Sequence, residues 1–343
     1  MFIRHKSIRG QQYLYTEHSF RVGKTVRKVS FYVPKKGTAL PFDVVNREPL
    51  RNIVTWKVEA LQKQQYSKFF CYGKQITAIE EKKVHFQVLL GLLSPERRKK
   101  VLDEFLRTFL VNSMAMEGGT ISYDVAKALD EKKKVRILGV HQLDIPLYHQ
   151  LQSAYQKLKI LQLRYPRQIQ ELHKLIYQGI YPFAGQFRTK KVTFGDVQGL
   201  ALTVDPKSIR KSYQHAIKKY HHSKGTIYDF ERIVLFHVDF QSVHGFEDGN
   251  SRLGRLIMMN QFLQQGYPPL LIRGSQSTAY RRALVRAINE QDTTPLLKLM
   301  YQAYMRTWAK FWKPILEEAL QTTPRSALKA SAQERSRTSV SES

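Results

Sequence analysis

His-Gly-Phe-Glu-Asp-Gly-Asn-Ser-Arg-Leu-Gly-Arg, residues 244–255, sets a proton acceptor, carboxylates, two arginines and three glycines in twelve positions. Upstream, Phe230, Ile233, Val234, Phe236, His237 and Phe240 recur at helical spacing and predict an apolar helix over 230–243. Downstream, Leu256, Ile257, Met259, Asn260 and Leu263 predict a second helix that starts near Asn250 and stops at Gly266, ahead of Pro268 and Pro269. The polar residues therefore occupy a hinge between two helices. The first turn of a helix has unpaired N–H groups and a positive dipole end, so it attracts anions. Arg252 and Arg255, three apart, are expected on one face with guanidinium forks suited to phosphate oxygens. Asp248 supplies a hard oxygen that could share Mg²⁺ with a phosphate, and His244 titrates near neutral pH. Phe246 reads as a buried anchor for the loop. Singly, each residue would be a turn residue or a solvated charge. Together they suit phosphoryl or nucleotidyl transfer, which needs positioning and charge neutralisation.

This loop resembles the signature of the Fic family, HxFx(D/E)GNxRxxR: His244, Phe246, Asp248, Gly249, Asn250, Arg252 and Arg255 match. Gly245 stands where proline is usual and is expected to loosen the loop, because glycine is less restricted. Ser251 stands where glycine is usual, keeping the N–H but adding a side chain near the phosphates. A second segment, residues 173–194, resembles the family's helix, Ala-Gly-x-x-Arg turn (Ala184, Gly185, Arg188) and β-hairpin flap, expected over residues 190–199. The alternation at Val192 and Phe194 fits a strand. A third, Ser113-Met-Ala-Met-Glu117-Gly118, resembles the family's inhibitory motif (S/T)xxxE(G/N) and lies N-terminal to the core.

The resemblance spans residues 106–305 and implies a mainly α fold with a Fic-type helical core and a β-hairpin flap. It implies a protein adenylyltransferase that moves AMP from ATP to a Ser, Thr or Tyr hydroxyl of a target protein, with Mg²⁺ as cofactor. His244 takes the hydroxyl proton and Asp248 holds Mg²⁺. Gly249, Asn250 and Ser251 cradle the phosphates, with the Asn250 side chain assisting. Arg252 serves the β-phosphate region, Arg255 the γ-phosphate, and Lys191, Val192, Thr193 and Phe194 of the flap dock the target along a strand edge. Ser113, Glu117 and Gly118 form the inhibitory element, Glu117 pairing with Arg255; the same acid could instead serve AMP removal. Transfer of UMP, phosphocholine or phosphate is the alternative within the family. Outside enzymology, a nucleic-acid-binding regulator with a nucleotide-sensing site is the rival, and a toxin-like module restrained by a partner is a third.

Composition bounds the rest. The 343 residues suffice for one core with a small accessory unit. The parts expected are a basic β-hairpin unit over 1–45, a helical linker region over 46–105, a Fic-type domain over 106–320 with its core at about 168–305, and a disordered tail over 321–343. Cys71 stands alone, so no intrachain disulfide is expected, and with no secretory or membrane-spanning pattern the expected location is cytoplasmic. The net charge of +28, from 56 basic and 28 acidic residues, favours polyanions. Residues 1–40 carry nine Lys or Arg against the single acid Glu17, interleaved with Tyr and Phe. Two strands turning near Gly23 are expected there, either packed as a ribbon or able to contact nucleic acid. A homodimer is a further expected assembly. Helices are expected over 95–111, 122–131, 146–163, 167–178, 206–222, 277–289 and 294–320. His237 reads as a hydrogen-bonded core residue, and His215, His221 and His222 as surface residues.

Overall fold

Helices dominate the computed structural model, which describes residues 2–8, 11–22, 25–32, 47–63, 70–133, 139–196 and 199–322. The chain opens with β1 Phe2–Ile8, β2 Gln11–Val22 and β3 Thr25–Tyr32, an antiparallel meander. Three strands stand where two were expected: the basic stretch before Gln11 pairs along β2, with Lys6 opposite Tyr13. The short first strand lacks apolar alternation, which is why the sequence hides it. The turn expected near Gly23 lies outside the described residues, as does the expected tail over 321–343 except for its first two residues, which end the last helix. Phe31 is fully buried and joins a hydrophobic cluster that continues to Ala319.

Helix α1 Arg47–Lys63 carries the meander, and α2 Gly73–Leu92 follows. The second was only partly legible, because its buried residues, Ile76, Ile79, Val84, Phe86, Val88 and Leu89, surround the helix instead of forming one stripe. Cys71, just before it, is buried, its N–H donating to Glu231 Oε1 at 2.6 Å. Helix α3 Pro95–Ala115 is capped by Ser94, whose Oγ accepts from Arg97 N at 3.2 Å. It runs one turn past the expected end at 111, so Ser113 sits in its last turn. Gly118 N and Gly119 N donate back to Ala115 O and Met114 O, which ends the helix and leaves Glu117 at the reversal.

Ser122 caps α4 Tyr123–Asp130, and α5 Asp144–Ile160 leads to α6 Pro166–Tyr177. The flap is β4 Thr193–Asp196 paired with β5 Gly199–Leu202. It begins later than expected: Lys191 and Val192 precede the first strand. After α7 Ile209–His222 come the two central helices, α8 Asp229–Val243 and α9 Asn250–Gln264. Their boundaries agree with the apolar spacing read from the sequence. Helix α10 Ser277–Asn289 supports the flap, and α11 Thr294–Thr307 passes through a π turn, Trp308–Trp312, into α12 Lys313–Thr322. The expected continuous helix over 294–320 is thus interrupted where Trp312 is buried against Phe105, with 4.8 Å between ring centroids. Its indole N–H reaches Pro269 O at 3.1 Å. Among the described residues, no helix is long and apolar enough to cross a membrane.

Candidate active site

The loop between α8 and α9 is fastened from every side. His244 ends α8 in the left-handed region, φ 45° and ψ 54°, a conformation that costs a non-glycine residue free energy and that the surroundings must hold. The holding residue is Arg188. Its buried guanidinium donates to His244 O at 2.7 Å, Lys190 O at 2.7 Å and Val204 O at 2.6 Å, and its backbone N–H donates to Gly245 O at 2.9 Å. One cation satisfied largely by carbonyls thereby ties the loop to both ends of the flap.

Gly245 is pinned, contrary to the loosening expected of it. Its N–H donates to the Tyr213 hydroxyl at 3.0 Å, and a Cβ there would stand 2.5 Å from the Tyr213 ring. Proline would remove the donor and strike the ring. Gly249, at φ +85°, lies against Tyr177, whose ring a Cβ would approach to 2.3 Å. Phe246 is fully buried and stacks on His173, 3.7 Å between centroids and 7° between planes. His173 Nδ1 accepts from Gly185 N at 2.9 Å, so the ring proton is on Nε2, which meets Asp248 O at 3.0 Å. Burial pushes its pKa down to about 4, keeping the ring neutral.

Asn250 is buried. Its Oδ1 accepts from Phe246 N at 3.0 Å and its Nδ2 donates to Phe246 O at 2.8 Å. Its side chain therefore closes the loop instead of reaching into the cleft. The first helical bond of α9 is donated by Leu253 to Gly249 O, so the amides ahead of it have no partner within the helix.

Over this helix start lies a cleft of about 290 Å³ whose walls include Glu117, Phe194, His244, Asp248, Arg252 and Arg281. Gly249, Asn250 and Ser251 form its floor. The His244 ring is stacked by Phe194 of the flap at 4.6 Å and 7°. Burial pushes its pKa down to about 4, with Arg188 acting in the same direction and the Gln241 carbonyl opposing. It is thus a neutral base at neutral pH. Asp248 is 48 % exposed; Oδ1 accepts from Gly249 N at 2.6 Å and Oδ2 meets Arg252 at 3.3 Å.

The two signature arginines diverge. Arg252 lines the cleft beside Asp248, whereas Arg255 is 1 % exposed and lies beneath it. Arg255 Nε donates to Ser113 Oγ at 2.9 Å, Nη2 to Ser113 O at 2.7 Å and Nη1 to Glu117 Oε1 at 2.8 Å. The second oxygen of Glu117 meets Arg281 at 3.4 Å, and Arg281 also donates to Met116 O. Thus Ser113 and Glu117, more than a hundred positions away in sequence, close on Arg255. Gly118 belongs to the helix reversal, and neither it nor Lys191, Val192 and Thr193 lines the cleft.

Sequence reasoning missed His173, Tyr177, Tyr213 and Arg281. The first two fall on the apolar stripe of α6 with Ile169, Leu172 and Ile176, where nothing distinguishes them from core. His237 is a core histidine, its Nε2 2.6 Å from the Tyr280 hydroxyl. His215, His221 and His222 are exposed, and no group of three or more metal-type side chains occurs among the described residues.

Residues 163–263, which include the loop, its clamp and both central helices, match the family model described as Fic/DOC family. Over these residues the chain is similar to the Fic/DOC family. The protein adenylyltransferase Fic of Drosophila virilis is 27 % identical over 228 residues, 66 % of this chain and 42 % of that protein. The protein of the same name from Drosophila melanogaster is 27 % identical over 233 residues, with the same shares. The chain therefore spans less than half the length of these relatives. A Fic domain containing signalling protein from Bacteroides thetaiotaomicron shares the fold, with a TM-score of 0.59 at 21 % identity, over 74 % of this chain and 97 % of that one. So does Fic-1 from C. elegans, residues 134–508, with a TM-score of 0.57 at 21 % identity, over 79 % and 78 %. The mainly α architecture with a hairpin flap is that of the Fic domain.

Proposed function

We propose that this chain transfers AMP from ATP to a hydroxyl group of a target protein, and that Glu117 holds the reaction in check. The observation that carries this reading is the cleft itself, where a neutral buried imidazole stands beside a helix N-terminus and an exposed carboxylate. The similarity to relatives named protein adenylyltransferase supports the same reading.

The residues fit Mg²⁺ held in the usual nucleotide manner, through one carboxylate and the substrate phosphates, with Asp248 as that carboxylate. The ion, when bound with ATP, supplies charge neutralisation on the phosphates. The floor amides of Asn250 and Ser251 orient the phosphate chain, and Arg252 offsets charge that develops on the departing pyrophosphate. The target hydroxyl attacks the α-phosphorus, the bond to pyrophosphate breaks, and the hydroxyl proton passes to His244. Phe194 covers the ring and excludes water from that side. Glu117 occupies Arg255, which would otherwise serve the γ-phosphate, so the nucleotide is held out of line for attack.

The test incubates wild type, Glu117→Gly and His244→Ala with Mg²⁺ and ATP labelled at the α-phosphate, with a cell lysate as target source. Protein-bound label should rise at least about tenfold in the Glu117 variant and vanish in the His244 variant. Label independent of His244 would refute the assignment of the base. Label from γ-labelled ATP or UTP alone would replace AMP by another group.

A further inference from the structure

We infer that the open face of the N-terminal sheet binds single-stranded nucleic acid, independently of the transfer reaction. The register of β1, β2 and β3 divides the meander into two faces. One face belongs to the core: Phe31 is fully buried, Val29 packs against the cluster, and Arg27 lies over Trp56 of α1 at 4.5 Å. The other face carries Tyr13, Tyr15 and Tyr32 side by side in the middle of the sheet. Tyr15 and Tyr32 are 5.6 Å apart between centroids, Tyr13 and Tyr32 6.1 Å. All three rings are half-buried, so their faces are neither lost in the core nor freely mobile.

Two lysines share this face with the rings: Lys6 Nζ stands 4.6 Å over the Tyr15 ring, and Lys28 is exposed. The one acid on this face, Glu17, accepts a hydrogen bond from Ser30 Oγ at 3.3 Å. Lysines alone would serve an acidic protein or a lipid surface; three adjacent rings with cations beside them add a platform for stacking. Unpaired bases use both, because each base offers a face for stacking while its phosphate meets a cation. A duplex hides those faces within its own base stack.

The test uses the full chain and fluorescence anisotropy with labelled single-stranded RNA and DNA oligonucleotides of about 12 nucleotides. The same sequence as a duplex, and phosphatidylserine vesicles, serve as comparisons. Single strands should bind more tightly than the duplex, with affinity falling as salt rises. Tyr13→Ala with Tyr15→Ala should weaken binding about tenfold or more, whereas the paired Phe substitutions should retain it. Thermal melting of the alanine variant separates lost stacking from a lost fold. Equal affinity for the duplex, binding indifferent to the tyrosines, preference for vesicles, or no binding to strands would each overturn the inference.

Discussion

The loop over residues 244–249 and the flap that overhangs it touch through the stacked rings of His244 and Phe194, yet they are built in opposite ways. The loop is enclosed by bonds from Arg188, Tyr213, His173 and Asn250, and its residues from His244 to Phe246 are buried. The flap is two four-residue strands with Asn289 bonded along the second: its Oδ1 accepts from Leu202 N at 3.3 Å and its Nδ2 donates to Leu200 O at 2.8 Å. Leu200 and Leu202 stay largely exposed. The contrast teaches a division of labour. Under the proposed transfer, charge that develops in the transition state would need donors fixed in advance, whereas a docking edge would have to adapt to an incoming chain.

The contrast breaks most severely at Arg188. Arg188→Met strands the carbonyls of His244 and Val204, and should lower stability by about 2–4 kcal/mol and abolish transfer. Thermal melting and labelling measure both; a variant with wild-type stability would mean that the loop holds itself.

Acid is the next largest perturbation. His173 and His244 are pushed down from 6.5 to about 4 by burial, so the folded state binds their protons more weakly than the unfolded chain does. Their contribution to stability is complete above pH 6.5 and is lost as pH falls toward 4. The melting temperature should drop across that window, and His173→Gln should flatten the drop. A flat profile in wild type would show that the rings charge without cost.

Gly245→Pro installs the residue usual in the family, and here it should destabilise by about 1–3 kcal/mol, since it deletes the bond to Tyr213 and collides with the ring. Tyr213→Phe in the same chain should recover part of the loss only if the clash is with the hydroxyl. A stabilised Gly245→Pro protein would show that Tyr213 readily moves aside.

Arg281→Ala addresses the latch over the loop. It should raise basal labelling a few-fold in wild type and leave the Glu117→Gly protein unchanged, because the arginine acts through Glu117. A fall in both backgrounds would make Arg281 a nucleotide contact. The smallest effect on the fold is expected at the flap. Asn289→Ala should cost less than about 1 kcal/mol of stability while raising the KM for target several-fold, with the KM for ATP unchanged. Equal shifts in both constants would place the flap among the rigid parts.

Much of this division is legible in the sequence. The helices flanking the loop announced themselves through one-sided apolar spacing, and Ser94 and Ser122 marked two helix starts through their caps. The first strand and α2 did not, since one lacks alternation and the other lacks a polar face. Arg188 and Gly245 were visible as residues but not as a clamp and a close contact, because their partners are carbonyls and a tyrosine ring on other elements. His173 carried no signal at all, sitting where any apolar residue would fit.

By itself the sequence determined the period of its helices, the chemistry gathered between residues 244 and 255, and the charge of its N-terminal strands. These follow from residue type and local spacing, which the chain fixes before it folds. Only the tertiary structure decided that Arg255 is buried against Ser113 while Arg252 faces the cleft, that Asn250 shapes the loop, and that Arg188 joins loop to flap. Those outcomes depend on which groups burial deprives of water, and a buried cation or amide takes whatever partners the packing of distant segments brings within reach.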